Sequence, residues 1–301
     1  MVMVEAMKIT TYYFVVLCLV EITTQDPVPV VIWHGIGDSC CGGSMGAIKS
    51  LLEEQVQGIY VKSLEIGNTT TEDVDNTYLM NVNDQVTVAC KLISNDPKLQ
   101  NGYHALGFSQ GGQFMRAVVQ RCPTPRIFNF VSVGGQHQGV YGFPKCPGDN
   151  NTLCDIVRKL LSYGAYVSFV QDHLVPAEYW HDPLNLDEYR NKSVFLADIN
   201  QERTKNPVYK ENLLKLKNFV LVKFLQDTTV EPRESEWFGF YEPGQAKKLL
   251  TVFETPLYQQ DWLGLKKLND TGRLHFLSSD SDHQIFTHQW FITNIINNFF
   301  K

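Results

Sequence analysis

Gly107-Phe108-Ser109-Gln110-Gly111 is the stretch on which the reading of this chain turns. It fits G-x-S-x-G, the pattern of a serine held on a sharp turn between a strand and a helix. Gly102-Tyr103-His104-Ala105-Leu106 precedes it, short and mostly apolar like a strand entering a sheet. Gln113 to Gln120 follows and reads as helix. Strand, tight turn and helix present a serine Oγ at the top of a parallel sheet. The flanking glycines suit a backbone that folds back where a Cβ would clash.

The same alternation runs outward in both directions. Val28-Pro29-Val30-Val31-Ile32-Trp33 is a nearly continuous apolar run, as a strand covered on both faces requires. Helix-like sequence spans Met45 to Val56, and Gly58 to Val61 with Leu64 suggests a second strand. Val82, Val86, Ala89, Cys90 and Ile93 recur near helical spacing over Val82 to Ser94. Ile127 to Val133, Phe219 to Leu225 and Leu274 to Leu277 read as further strands, and Ile285 to Phe300 as a closing helix. Strands alternating with helices predict an α/β chain, a mainly parallel sheet flanked by helices. From about Val140 to Asn218 no strand is obvious. Ile156, Leu160, Tyr163, Val167, Val170 and Leu174 form a helical stripe that stops near Pro176. That stretch predicts a helical cap over the sheet edge, with a second core helix layer as the alternative. Residues 26–301 read as one domain carrying this insertion.

Composition narrows the setting. The chain has 301 residues, 44% of them hydrophobic, and a formal net charge of -6 without a basic run, which argues against nucleic acid as a partner. Lys8 and the apolar run Ile9 to Val20 resemble a secretion signal, with cleavage before Asp26. No other segment is apolar and long enough for a transmembrane span. Beyond Cys18, the six cysteines Cys40, Cys41, Cys90, Cys122, Cys146 and Cys154 suit an oxidising compartment. Six cysteines allow fifteen pairings, and adjacent Cys40 and Cys41 either bond to each other or to two distant partners. Sequons stand at Asn68, Asn150, Asn191 and Asn269. Neither a C-x-x-C pair nor a spaced His pair is present, so neither metal nor cofactor is called for.

A serine hydroxyl needs a base to take its proton and a carboxylate to orient that base. In the fold with this elbow the order along the chain is serine, acid, histidine. Asp227 lies just beyond the strand Phe219 to Leu225, and His283 lies in the polar segment between the last strand and the last helix. Glu231 sits deeper in its loop, His275 falls inside a strand and His288 inside the closing helix. His34, His104, His137, His173 and His181 precede the acid and read as turn, packing or surface residues. Acyl transfer also needs donors for an oxyanion. The backbone N–H groups of Gln110, after the nucleophile, and Ile36, in the turn His34-Gly35-Ile36-Gly37, are the candidates.

With these residues in place the chain resembles the lysosomal palmitoyl-protein thioesterases, α/β-hydrolases that remove fatty acyl groups from cysteine. The likeness covers nearly all of the mature chain and is nearer to the type 1 branch. His34 to Cys41, Ser63 to Gly67, Gly107 to Phe114 and Ser132 to Val140 carry it, and Ala177 to Pro183, Phe195 to Arg203 and Ser235 to Tyr241 extend it. The resemblance implies the triad Ser109, Asp227 and His283 and oxyanion donors at Gln110 and Ile36, where methionine is usual at the second place. It implies disulfides Cys40–Cys41, Cys90–Cys122 and Cys146–Cys154. Asn191 matches a glycosylation site of the family, while the sites at Gln226 and around Asn206 are lost. The activity implied is hydrolysis of long-chain S-acyl thioesters on proteins or peptides, in the lysosome or along the secretory route. A lipase or esterase on acyl oxyesters, and a silent acyl-chain carrier, are the alternatives.

Overall fold

The computed structural model describes residues 26–142, 161 and 164–301. Six strands form one sheet: β1 Val30–Trp33, β2 Val61–Ser63, β3 Tyr103–Phe108, β4 Ile127–Val133, β5 Asn218–Phe224 and β8 Leu274–Ser279. Their order is β2-β1-β3-β4-β5-β8, and every pairing is parallel. A two-stranded antiparallel piece, β6 Phe240–Tyr241 with β7 Leu249–Leu250, lies apart from it.

Both faces of the sheet are buried, and the two-residue period of a strand divides the core accordingly. Val30 and Ile32 of β1, Leu106 and Phe108 of β3, and Val220, Val222 and Phe224 of β5 face one apolar layer. Helix α1, Gly43–Gln55, completes that layer with Met45, Ile48, Leu51 and Leu52, and the closing helix adds Phe291, Ile295, Ile296 and Phe300. Val31 and Trp33, Tyr103 and Ala105, and Phe219 and Leu221 face the opposite layer. There α3, Val82–Ser94, and α4, Gln110–Arg121, supply Val86, Ala89, Phe114 and Val118. Fully burying each such aliphatic or aromatic side chain contributes roughly 1.5–3 kcal/mol.

The described residues of the insertion between β4 and β5 form short helices, including Ser168–His173, Leu186–Lys192 and Pro207–Leu214. Its later part is a true core layer. Tyr189, Phe195, Leu196, Ile199 and Leu213 merge with the apolar layer of α3 and α4. Buried Arg116 and Gln120 of α4 stitch it in place, both donating to the Ile199 carbonyl. Its earlier part forms a separate small cluster of Leu161, Ala165, Val170, Leu174 and Ala177. Val167, counted in the sequence stripe, is 41% exposed instead. Ile156, Leu160 and Tyr163 of that stripe lie outside the described residues, as do the signal segment, Cys146, Asn150 and Cys154.

The structure adds one helix to the sequence reading and moves several boundaries: β2 falls at Val61–Ser63 rather than Gly58–Val61, and β8 runs on to Ser279. A further helix, α2, spans Thr70–Leu79, where none was expected. The closing helix starts at His288 rather than Ile285, because the Thr287 side chain caps it by accepting the Trp290 N–H. It continues as wider π turns over Ile292–Phe300.

Candidate active site

Everything that matters chemically stands beyond the carboxyl ends of the strands, where open parallel sheets gather their ligands. Ser109 follows β3 directly, with φ 52° and ψ -127°. A side-chain-bearing residue is strained there, and the strain is sustained by contacts on both sides. Ser109 N–H donates to the Val133 carbonyl of β4 at 2.8 Å, and the Gly112 N–H donates back to the Ser109 carbonyl at 2.9 Å. The turn closes only because its flanks lack side chains. A Cβ on Gly107 would stand 2.5 Å from the Gly111 oxygen, and one on Gly111 would fall onto the carbonyls of Trp33 and His34.

His283, in the loop after β8, reaches across to this serine. Its Nε2 lies 2.9 Å from Ser109 Oγ, and its Nδ1 contacts Asp227 Oδ2, from the loop after β5. The ring leans against Gly134, where a Cβ would come within 3.1 Å of it. Asp227 is held in turn by two backbone donors: its Oδ1 accepts from Thr229 N–H at 2.7 Å and Val230 N–H at 2.8 Å. Asp282 secures the histidine loop, since its carboxylate accepts from the Thr228 N–H at 2.9 Å. Burial alone would raise the Asp227 carboxyl, but His283 foremost, with Glu236 and the Val230 N–H, together outweigh it and hold the group down at about 2. For His283 burial again works the other way. Its two carboxyl neighbours, Asp227 foremost and then Glu236, together outweigh burial and lift the imidazole to about 9.

The remaining histidines are engaged elsewhere. His104 Nδ1 accepts the Asn129 N–H, His137 is stacked on Phe238 and contacts Ser132 Oγ at 2.9 Å, and His181 lies between Tyr189 and Phe240. His275 sits in β8 against Asn218 Oδ1, and Glu231 accepts from the Tyr241 hydroxyl rather than facing His283.

Gln110 follows the serine directly, and Ile36 follows Gly35, which lies against that serine. Gln110 is the first residue of α4, and Ile36 lies in the loop after β1. Gly35 brings that loop against the nucleophile, since a Cβ there would be 3.1 Å from Ser109 Cβ. Helix α2 holds Gln110 and the residues on either side of Ile36. Its buried Asp73 pairs with His34 Nε2 at 3.1 Å and accepts the Cys40 and Ile66 N–H groups at 2.8 and 2.7 Å. Thr77 Oγ1 accepts the Gly37 N–H, and the Thr77 carbonyl accepts the Gln110 side-chain amide. Tyr179, from the insertion, donates its hydroxyl to Gln110 Oε1 at 3.2 Å. The sequence signal for α2 was its capping pattern, Thr69 three residues before Glu72, and the Thr69 side chain does accept the Glu72 N–H.

Cys40–Cys41 and Cys90–Cys122 are both disulfide-bonded. Asn68 and Asn191 are exposed, whereas Asn269 is half-buried and donates to the Tyr258 hydroxyl. Two groups among the described residues have ligand atoms close enough for a metal: Cys40, Cys41 and Glu65, and Asp227, Glu236 and His283. The sulfurs of the first are bonded to each other, and both nitrogens of His283 already have partners. No helix among the described residues is long and apolar enough to cross a membrane.

A parallel sheet covered on both faces, with such an elbow at the end of its third strand, is the α/β-hydrolase fold, and the chain is a hydrolase of that class. Comparison with known proteins narrows this further. The chain belongs to the palmitoyl protein thioesterase family, whose model matches residues 29–283. It is 52% identical over 296 residues to palmitoyl-protein thioesterase 1 of Caenorhabditis elegans, covering 96% of this chain and 99% of that one. It is 36% identical to palmitoyl-protein thioesterase 3 of Dictyostelium discoideum over 92% of each. Among solved structures, a monoacylglycerol lipase of Paleococcus ferrophilus matches at 13% identity and a TM-score of 0.45, over 90% of this chain and 94% of that one.

Proposed function

We propose that this protein hydrolyses long-chain fatty acyl thioesters, releasing the acyl group from S-acylated cysteine of proteins or peptides. The observation that carries the reading is the row Ser109, His283 and Asp227, joined by hydrogen bonds in a chain of this family. Ser109 Oγ attacks the thioester carbonyl while His283 Nε2 takes its proton. Asp227 holds the imidazole in place and balances the imidazolium that forms. The oxyanion accepts from the Gln110 and Ile36 backbone N–H groups. The C–S bond then breaks, and the thiolate leaves readily because a cysteine thiol has a pKa near ~8.5. The thiolate takes the proton held on His283, and the neutral imidazole then removes a proton from water, whose oxygen attacks the acyl-serine carbonyl. Ser109 Oγ leaves with that proton, so the products are a fatty acid and a free thiol.

Residues 26–301 act as one unit in this reading, with the insertion at about 140–218 furnishing the apolar wall for the acyl chain. Each buried methylene adds about 0.8 kcal/mol to binding. The two disulfides support a route through the secretory pathway to the lysosome, with sugar at exposed Asn68 and Asn191.

The test is an acyl-thioester series offered to the purified protein, with Ser109→Ala as control. Palmitoyl-cysteine peptide should release palmitate and free thiol in equal amounts, and S109A should lower the rate on the order of 10⁴-fold or more. Faster release of oleate from triglyceride than of palmitate from palmitoyl-cysteine would replace the thioesterase reading with a lipase.

A further inference from the structure

Glu236 lies on the 3-10 turn Arg233–Trp237, after β5, and is 1% exposed. Its Oε2 accepts the Phe224 N–H at 2.7 Å. Its Oε1 is buried and has no hydrogen-bond partner. That oxygen stands 3.7 Å from His283 Nδ1, and Asp227, Glu236 and His283 bring ligand atoms within 4.8 Å of one another. Two carboxylates shut away from water beside one imidazole cannot both ionise cheaply. One of them keeps a proton, and local partners decide which. Asp227 accepts two backbone N–H groups besides the imidazole, whereas Glu236 accepts one. Hydrogen bonds to the charged form favour ionisation at Asp227, so the proton falls to Glu236. A proton on Oε1 turns an orphaned acceptor into a donor facing Asp227.

We propose that Glu236 is a positioning residue that, as a neutral acid, donates a hydrogen bond from Oε1 to the Asp227 carboxylate and thereby limits how tightly Asp227 holds the His283 proton. The inference rests on the triad reading above. Burial, together with the Asp227 charge, pushes the Glu236 carboxyl well above the usual range. Other charged groups nearby are turned away. Arg233 and Glu234, on the same turn, lie against each other at 3.9 Å, and Lys223 of β5 lies over the Trp237 ring at 4.3 Å. From the β8 loop, Asp282 is engaged by Thr228, and His137 after β4 turns its Nε2 to Ser132. Asp227 and His283 are the titratable groups that face Glu236 directly. A carboxylate that shares its charge with a donor is a weaker base. His283 then gives up its proton at a lower pH than beside an unshared aspartate, which keeps the serine activated further into the acid range.

The experiment follows the rate of Ser109 labelling by a fluorophosphonate against pH for the wild-type protein, Glu236→Gln and Glu236→Ala. Labelling reports the basicity of His283 whatever acyl group is cleaved, so failure on palmitoyl thioesters would sink the substrate reading and leave this measurement valid. The amide of E236Q imitates the neutral acid, and its acid limb should overlay the wild type. E236A removes the donor, and its limb should move to higher pH, lowering labelling about tenfold on the acid side with little change on the alkaline plateau. A limb moved to lower pH in E236Q would mean an ionised Glu236 and would overturn the proposal. So would an unmoved limb in folded E236A. Should E236A not fold, infrared difference spectra decide: a protonated-carboxyl band in the wild-type-minus-E236Q difference at neutral pH, in which the contribution of buried Glu178 cancels, is expected, and its absence would overturn the assignment.

Discussion

At the scale of single residues the site is governed by one proton. In the proposed triad Ser109 is a nucleophile only while His283 is neutral, and Asp227 together with Glu236 lifts the imidazole to about 9. The sign follows directly: below that value the ring is charged, cannot accept from Ser109 Oγ, and turnover is lost as pH falls. Even an unperturbed histidine near ~6.5 would be only about 3% neutral at pH 5. Asp227, held at about 2, stays ionised throughout this window and sets no limb of its own. The ratio kcat/KM for palmitoyl-cysteine peptide should therefore climb from pH 5 through neutrality, by about tenfold per unit on the limb. A flat or acid-peaked profile between pH 5 and 8 would contradict the assignment of His283 as base.

At the scale of elements, a helix whose buried residues are both polar has the most to do with the proposed oxyanion turn. Helix α2 buries Asp73 and Thr77, and these grip the His34 side chain, the Gly37 N–H and the Gln110 amide. Breaking a buried pair by removing one partner costs about 3–5 kcal/mol, and losing one oxyanion donor costs on the order of 10²-fold in kcat. Asp73→Ala should lower both the melting temperature and kcat while leaving KM nearly unchanged. Wild-type melting and turnover in D73A would mean that Thr77 holds the loop unaided. This helix also explains where sequence reading stops. Strands buried on both faces announce themselves as apolar runs, and β1, β4 and β5 were placed within about two residues by that signal alone. Ser109, Asp227 and His283, which the structure brings into hydrogen-bonding reach, were singled out by chain order and strand ends. Hydrophobic spacing cannot reveal α2, because what it buries is polar, and only the Thr69-to-Glu72 cap marks its start. Glu236 was invisible for a different reason. Its weight comes from lying 3.7 Å from His283 Nδ1, a contact between residues 47 apart in the sequence. The loop after β8 takes Ile285 to Thr287 from the expected helix, because Gln284 just before them takes φ 57° where His283 swings towards Ser109.

At the scale of the whole molecule, the two described disulfides do different jobs. Cys90 lies in α3 and Cys122 caps α4, so their bond closes a loop of sequence separation 32 that contains β3, the elbow and α4. In the unfolded chain that closure removes entropy worth about 4 kcal/mol. Cys40 and Cys41 are neighbours, with sequence separation 1, and their bond closes no chain loop of consequence. It stiffens the segment just after the oxyanion turn, where the Cys40 N–H is held by Asp73 at 2.8 Å. Replacing Cys90 and Cys122 together by alanine should lower the melting temperature by roughly 8 °C, the shift that about 4 kcal/mol produces in a domain of this size. Replacing Cys40 and Cys41 together should move the melting temperature much less, and its effect should appear in kcat, because the chain after Ile36 loses its brace. Calorimetry and thioester turnover on the two double variants separate these roles. Equal melting shifts would show that the adjacent pair carries global stability, and unchanged kcat in the Cys40 and Cys41 variant would show that Asp73 and Thr77 fix the turn without it.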